Sequence, residues 1–240
     1  MTEAIETLSR WLAEAKQAVF FGGAGVSTES GIPDFRSTDG LYNQQYAYPP
    51  EVILSHDFFE EQTAEFYRFY QDKMLYLEAA PNACHLKLAE LERAGHLRSV
   101  ITQNIDGLHQ AAGSARVLEL HGSVHRNRCM RCGRRYDAAY MRQAAGVPRC
   151  ECGGLIKPDV VLYGEGLDNQ TLLESIRDIS EADLLIVGGT SLVVYPAAGL
   201  IDYYQGSRLV LINMSITAAD KRANLIIREP IGEVFSQIKC

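Results

Sequence analysis

Gly22-Gly-Ala-Gly-Val-Ser-Thr-Glu-Ser-Gly-Ile-Pro-Asp-Phe-Arg-Ser37 follows directly on Ala18-Val-Phe-Phe21, a short apolar run with the composition of a buried parallel strand. Glycines just past such a strand let the backbone turn tightly and approach a diphosphate. A helix after the turn would present its unpaired N–H groups and positive dipole end to the phosphate oxygens. The third glycine of the dinucleotide fingerprint is missing, because Gly23-x-Gly25 is followed by Ser27-Thr28. A lone GxG also fits a plain turn. Pro33-Asp34-Phe35-Arg36 favours the ligand reading, since it sets a rigid turn, a carboxylate, an aromatic face and a guanidinium where a ligand would lie.

Two further blocks repeat the pattern. Leu97-Arg-Ser-Val-Ile101 reads as a strand running into Thr102-Gln-Asn-Ile-Asp-Gly-Leu-His109. Ligands in open α/β sheets bind beyond the carboxyl ends of the strands, which is where Gln103, Asn104 and Asp106 fall. Asn and Asp also favour loops by bonding their own backbone, so this block alone decides little. Val117-Leu-Glu-Leu-His121-Gly122 puts a histidine at the end of another apolar run, the place of a general base.

Four of the six cysteines cluster as Cys129-Met-Arg-Cys132 and, after 17 residues, Cys150-Glu-Cys152. Paired thiolates on turns followed by Gly133 and Gly153 can converge tetrahedrally on zinc, and four thiolates leave no open position, so the metal is expected to be structural. Cys84 sits in a helical apolar pattern and reads as core.

The 240 residues, 47% apolar and 22% charged, suit a soluble enzyme with a large core. No apolar run approaches the roughly 20 residues that span a bilayer. The acidic start Met1-Thr-Glu-Ala-Ile-Glu6 lacks the features of a signal peptide, so a cytoplasmic protein without a membrane partner is expected. The net charge of −7 argues against broad nucleic-acid binding. Arginines 126, 128, 131, 134, 135, 142 and 149 nevertheless crowd the cysteine region, either as a patch for an acidic partner or as solvated offsets to thiolate charge.

Together these blocks resemble the sirtuin family, the NAD-dependent protein deacylases. The matching residues are Gly22 to Ser37, Thr102 to His109, His121-Gly122, the cysteine quartet, Lys157-Pro-Asp-Val-Val161 with Gly164-Glu165, Gly189-Thr-Ser-Leu192, and Asn213, in the family's order. The pair Cys150-x-Cys152 is one residue shorter than the family's usual spacing, which leaves the form of that knuckle open.

The resemblance implies transfer of the acetyl group from acetyl-lysine on a protein to ADP-ribose, with release of nicotinamide. It implies that Ala24, Thr28, Phe35 and Arg36 line the cofactor loop, and that Asn104 and Asp106 bind the ribose and the carboxamide. Gln103 and Ile105 complete that pocket; Thr190, Ser191 and Asn213 face the adenosine half, and Ile231 its adenine. Asn104 and His121 are the expected catalytic residues, with His121 drawing a proton from a ribose hydroxyl. Val160, Val161, Leu162, Tyr163 and Gly164 on one side, and Leu192 and Val193 through Tyr195 on the other, are expected to hold the peptide as an added strand.

Two rivals stay open on the residues alone. A dehydrogenase needs the full fingerprint and an acid at the end of the second strand, both missing here. A zinc-ribbon binding protein explains the cysteines but leaves three polar loops at strand ends without a purpose.

The expected architecture is an α/β, doubly wound, Rossmann-like parallel sheet carrying a small zinc module and a helical insert. Residues 1–37, 81–123 and 158–240 form the NAD-binding domain, and 38–80 with 124–157 the smaller one. Helices are expected over 3–17, 58–77, 82–93 and 171–180, and strands at 160–163, 183–187 and 209–212. A monomer is expected. Some sirtuins that remove acidic acyl groups carry a tyrosine with an arginine three residues later. Here Tyr67 is followed by Tyr70, so both tyrosines are expected to wall an uncharged acyl pocket, unless they are simply core.

Overall fold

The computed structural model describes residues 2–35, 40 and 48–239. Nine strands occur among them: β1 (Ala18–Gly22), β2 (Leu97–Thr102), β3 (Val117–Glu119), β4 (Gly122–Cys129), β5 (Arg135–Tyr136), β6 (Ile156–Val160), β7 (Leu184–Gly188), β8 (Leu209–Ile212) and β9 (Leu225–Ile227). Six of them form one parallel sheet in the order β3-β2-β1-β7-β8-β9. The chain reverses its winding between β1 and β7, and such a switch point opens a crevice at the carboxyl ends of the two strands.

Strand β1 is buried along its whole length because both of its faces are covered. Ala18 and Phe20 point into one core, Val19 and Phe21 into the other. The first core is closed by α1 (Glu3–Glu14), α5 (Ala83–Arg93) and α9 (Ile231–Ser236), through Leu8, Leu12, Leu88 and Phe235. The second is closed by α8 (Asn169–Glu181) and the 3-10 turn Ala197–Tyr203, through Ile179, Leu200 and Ile201. Asn82 and Asp168 cap α5 and α8 by accepting backbone N–H groups with their side chains.

A second sheet, β5-β4-β6, is antiparallel. It shares a third core with α2 (Pro50–Ile53), α3 (His56–Glu61) and α4 (Thr63–Lys73), in which Phe59, Phe66 and Tyr67 meet Cys129, Met141 and Ile156. The short helices α6 (Leu108–Ala111) and α7 (Ala138–Gln143) complete the set.

Three expectations change. The helix expected over 58–77 is two helices, because Gln62 leaves helical geometry and the Thr63 hydroxyl turns back to the Phe59 carbonyl. The run Val160–Tyr163 is not a strand of the parallel sheet: β6 ends at Val160 in the antiparallel sheet, and Tyr163 makes only an isolated bridge to Ser55. Tyr67 and Tyr70 are fully buried in the third core, with the Tyr67 hydroxyl donating to the Ile156 carbonyl, so they are packing residues and wall no acyl pocket.

Candidate active site

The main cleft lies beyond the carboxyl ends of β1, β2 and β7. Gly25 packs on Gly189 so closely that a Cβ would stand 2.8 Å from the Gly189 Cα. Gly189 itself has φ +59, with Val26 N 2.4 Å from its notional Cβ. The glycines therefore serve contact between the two loops at the switch point. The N–H groups of Gly23 and Gly25 are given to the carbonyls of Gly188 and Gly189, and that of Val26 to Gly23. Two 3-10 turns, Ala24–Val26 and Thr28–Ser30, follow β1 in place of the expected helix, so no helix dipole points at this part of the cleft.

From the second block, Gln103, Asn104, Ile105 and Asp106 all line the cleft. Ser27 joins them: its hydroxyl donates to Asp106 Oδ2 at 2.7 Å and accepts from Asn104 Nδ2 at 3.1 Å. Ser27 was not among the expected site residues. Only the first 3-10 turn, which aims it at residues 77 and 79 positions away, brings it there. The other Asp106 oxygen takes the Leu108 N–H, and Gln103 Nε2 donates to Thr190 Oγ1 at 3.0 Å.

His121 lines the cleft with its Nδ1 2.9 Å from the Gln103 carbonyl. A carbonyl can only accept, so Nδ1 carries the proton and Nε2 keeps its lone pair. Burial lowers the His121 pKa, against the opposing pull of that carbonyl, and so favours the neutral, basic form. Gly122, next in sequence, has φ +75, and a Cβ there would meet the Asp159 carbonyl oxygen at 1.9 Å. Only glycine lets β4 start this close to β6.

Of the other expected cofactor residues, Ala24, Phe35, Thr190 and Ser191 line the cleft. Arg36 lies outside the described residues. Thr28 turns its hydroxyl to the Gly25 carbonyl. Asn213 is buried with its amide exchanging two hydrogen bonds with the Thr190 backbone, so it reaches the cleft only through Thr190. Ile231 is buried in the first core against Gly188, because the apolar side of α9 packs there.

Val160, Val161, Leu162, Tyr163 and Gly164 all line the cleft. On the opposite rim Val194, Tyr195 and Pro196 do so, whereas Leu192 is buried in the second core and Val193 is about half exposed. Phe35, Leu54, Met74, Leu77 and Val124 add an apolar wall to which Tyr67 and Tyr70 do not belong.

Apart from the cleft, the thiol sulfurs of Cys129, Cys132, Cys150 and Cys152 lie within 4.8 Å of one another, with Cys129–Cys152 at 3.5 Å and Cys132–Cys150 at 3.6 Å. Four sulfurs about 2.3 Å from a tetrahedral zinc stand roughly 3.8 Å apart, so the donor set fits that metal, shortened knuckle included. Five of the seven arginines nearby have partners: Arg126 meets Glu119 and Asp159, Arg134 meets Glu151, Arg142 meets Glu78, and Arg131 and Arg149 cap the carbonyls of Cys152 and Gly153. This favours charge offset over a patch for an acidic partner.

Comparison with known proteins adds three findings. The Sir2 family pattern matches residues 23–196. The NAD-dependent protein deacetylase of Clostridium acetobutylicum is 55% identical over 242 residues, covering 99% of each chain. Among solved structures, one described as "Structural Basis for the Mechanism and Regulation of Sir2 Enzymes" superposes with a TM-score of 0.89 at 42% identity, covering 99% of this chain and 97% of that one. Another, a Sir2 with a p53 peptide and NAD+, superposes with a TM-score of 0.87 at 40% identity and the same coverage.

Proposed function

This chain belongs to the Sir2 family, and from that premise we infer that it is an NAD-dependent protein lysine deacetylase, passing the acetyl group of acetyl-lysine to ADP-ribose as nicotinamide leaves. The observation that carries the reading is the meeting of His121 with Gln103, Asn104 and Asp106 in one cleft at the switch point of the sheet. The glycine-lined turn, the polar cluster of Ser27, Asn104 and Asp106 and the aromatic face of Phe35 suit a dinucleotide. Bound there, NAD supplies a ribose carbon made electrophilic by loss of nicotinamide.

The residues of the chain then have separable tasks. Ser27 fixes Asp106 and Asn104 relative to each other in the part of the cleft that would take the ribose and the carboxamide. Carboxylate and amide, unlike further cations, suit the positive charge that develops at a ribose losing its base. Phe35 with Ile105 keeps water off that face. His121 accepts a proton at Nε2 from a ribose hydroxyl, held in the right tautomer by Gln103. Ala24, Thr28, Thr190 and Ser191 serve the remainder of the cofactor, with Asn213 supporting Thr190 and Ile231 supporting Gly188 from behind; Arg36 keeps its expected role there.

The peptide adds to the segment Val160–Gly164. Tyr163 gives its N–H to Leu54 and accepts from His56, which leaves the opposite edge, around Gly164, for the incoming strand. Val194, Tyr195 and Pro196 form the other bank, with Leu192 packed behind them and Val193 beside them. The apolar wall suits acetyl and other uncharged acyl groups, since an unpaired carboxylate buried there would cost several kcal/mol.

Zinc held by Cys129, Cys132, Cys150 and Cys152 would brace the antiparallel sheet. A division into two domains, 1–37 with 81–123 and 158–240, and 38–80 with 124–157, is part of this reading, and the third core, most of whose residues fall in the smaller one, is what favours it. Among the described residues no helix is long and apolar enough to cross a membrane. Thiols held by zinc in place of disulfides suit a reducing compartment, in keeping with the expected cytoplasmic monomer that acts on acetylated proteins. Incubation with NAD and an acetyl-lysine peptide is expected to release nicotinamide and acetylated ADP-ribose in equal amounts. Formation of NADH, or no nicotinamide at all, would refute the reading.

A further inference from the structure

The segment that lines the peptide side of the cleft is held by a charged group outside the chemistry. Glu165 turns one carboxylate oxygen to the Leu162 N–H at 2.9 Å and to Lys157 Nζ at 3.2 Å. Its other oxygen lies 3.0 Å from His56 Nδ1. His56 opens α3, and its backbone N–H also bonds the Tyr163 carbonyl at 2.9 Å. A second carboxylate, Glu60 one turn on, lies 3.4 Å from His56 Nε2. The imidazole thus bridges two acids from two elements, 109 residues separating His56 from Glu165.

We propose that His56 is a positioning residue for the peptide-binding edge, its side chain acting through Glu165 on the backbone N–H of Leu162, next to the Tyr163 carbonyl that its own backbone N–H holds. This rests on the reading that the edge takes the acetylated peptide. With His56 charged, Glu165 is held from both sides and the edge is ordered before the peptide arrives, so less ordering is left for binding to bring about. The groups facing His56 are Glu165 from the loop, with Lys157 of β6 behind it, and Glu60 and Asp57 from its own helix. The hydrogen bond to Glu165 leads the causes that raise the His56 pKa. Burial pushes Glu165 up, but Leu162, His56 and Lys157 outweigh it and hold the carboxyl below its usual range. The charged bridge is therefore complete at mildly acidic pH and is lost as pH rises through the raised His56 value.

Steady-state deacetylation with a peptide lacking groups that titrate near neutrality tests this across pH 6.5 to 8.5. In the parent, the peptide KM should rise with pH by about two- to fivefold, the scale of exposed charged pairs, with the KM for NAD unmoved. His56→Ala should raise the peptide KM at pH 6.5 by a similar factor and abolish its pH dependence, with little change in kcat. His56→Asn, which keeps a neutral donor, should lie between them with a flat profile. An active His56→Ala enzyme with the parental KM at both ends of the range would overturn this inference alone. A parent that turns over no acetylated peptide would overturn it together with the functional reading.

Discussion

In the parallel sheet, β1 is bonded on both sides, all five of its residues are buried, and helices cover both faces. In the smaller sheet, β4 mixes buried and exposed residues, β5 is two residues long, and four cysteines stand where the strands and turns meet. The first region is held by apolar burial, with about 1.5–3 kcal/mol for each large side chain such as Phe20 or Phe21. The second has a two-residue edge strand and a core shared with α2, α3 and α4, and its four thiols are placed to hold a metal that would brace it. They meet at His121-Gly122, where β4 leaves the cofactor cleft. His121 therefore sits on the seam between a region held by apolar burial and one whose stability is expected to depend on a metal.

Removing zinc should break this comparison most visibly. Structural zinc contributes on the order of 10 kcal/mol or more to the fold around it. A chelator, or Cys150→Ser, is expected to expose the amides of β4 and β6 to hydrogen exchange while Val19 to Phe21 stay protected. Uniform exchange in both regions would show that they do not differ in this way.

The next effect belongs to the seam. Gly122→Ala places a Cβ against the Asp159 carbonyl in a left-handed conformation that by itself costs roughly 1–2 kcal/mol. The loss should exceed that figure and lower the melting temperature and turnover together. A variant that melts like the parent would mean the junction gives way easily.

Acid should attack the sheet side first. Burial pushes His85 down to about 4, against the pull of Asp106, and His109 down to about 3, with His85 adding to the effect. Neither ring is charged in the fold at pH 5, but both are in the unfolded chain below pH 6.5. The unfolded state then binds more protons, and stability falls with pH from about 6.5 toward 4, by up to about 1.4 kcal/mol per pH unit for each ring. His109→Leu should flatten part of that slope in urea titrations; an unchanged slope would place the acid sensitivity elsewhere.

The smallest effect is expected at Arg126, the ion pair that links β4 to Glu119 of β3 at 2.5 Å. Its side chain is half exposed, so Arg126→Gln should change unfolding free energy by no more than about 1 kcal/mol. A larger loss would make charge, and not the chain path through Gly122, the main tie between the regions.

Much of this was legible before any coordinates, and unevenly so. β1, β7 and β8 announced themselves because strands covered on both faces must be apolar throughout, as Val19 to Phe21 and Leu184 to Val187 are. The same signal misled at Val160–Tyr163, because an apolar run carries no mark of the sheet it joins. Cysteine spacing pointed to the four thiols that the fold brings within reach of one ion, since metal geometry restricts such spacing. No helix follows β1, because the chain there makes two short 3-10 turns, Ala24–Val26 and Thr28–Ser30, that part at Ser27 beside the close Gly25–Gly189 contact. Ser27, the buried placement of Ile231, and the link from His56 to Glu165 depend on tertiary contacts that one sequence does not display. Tyr67 and Tyr70 lie in an aromatic stripe that reads equally as pocket or as core, and burial makes it core.

The central claim is that His121, held by Gln103 on the seam, is the base of an NAD-consuming deacetylation. Nicotinamide release and deacetylation of an acetyl-lysine peptide should be measured in the parent and in His121→Ala, with NAD affinity determined on the same samples. The expected result is deacetylation in the parent, its loss in the variant, and NAD binding within a few-fold of parental in both. A His121→Ala protein that binds NAD and keeps most of its deacetylation would contradict the claim.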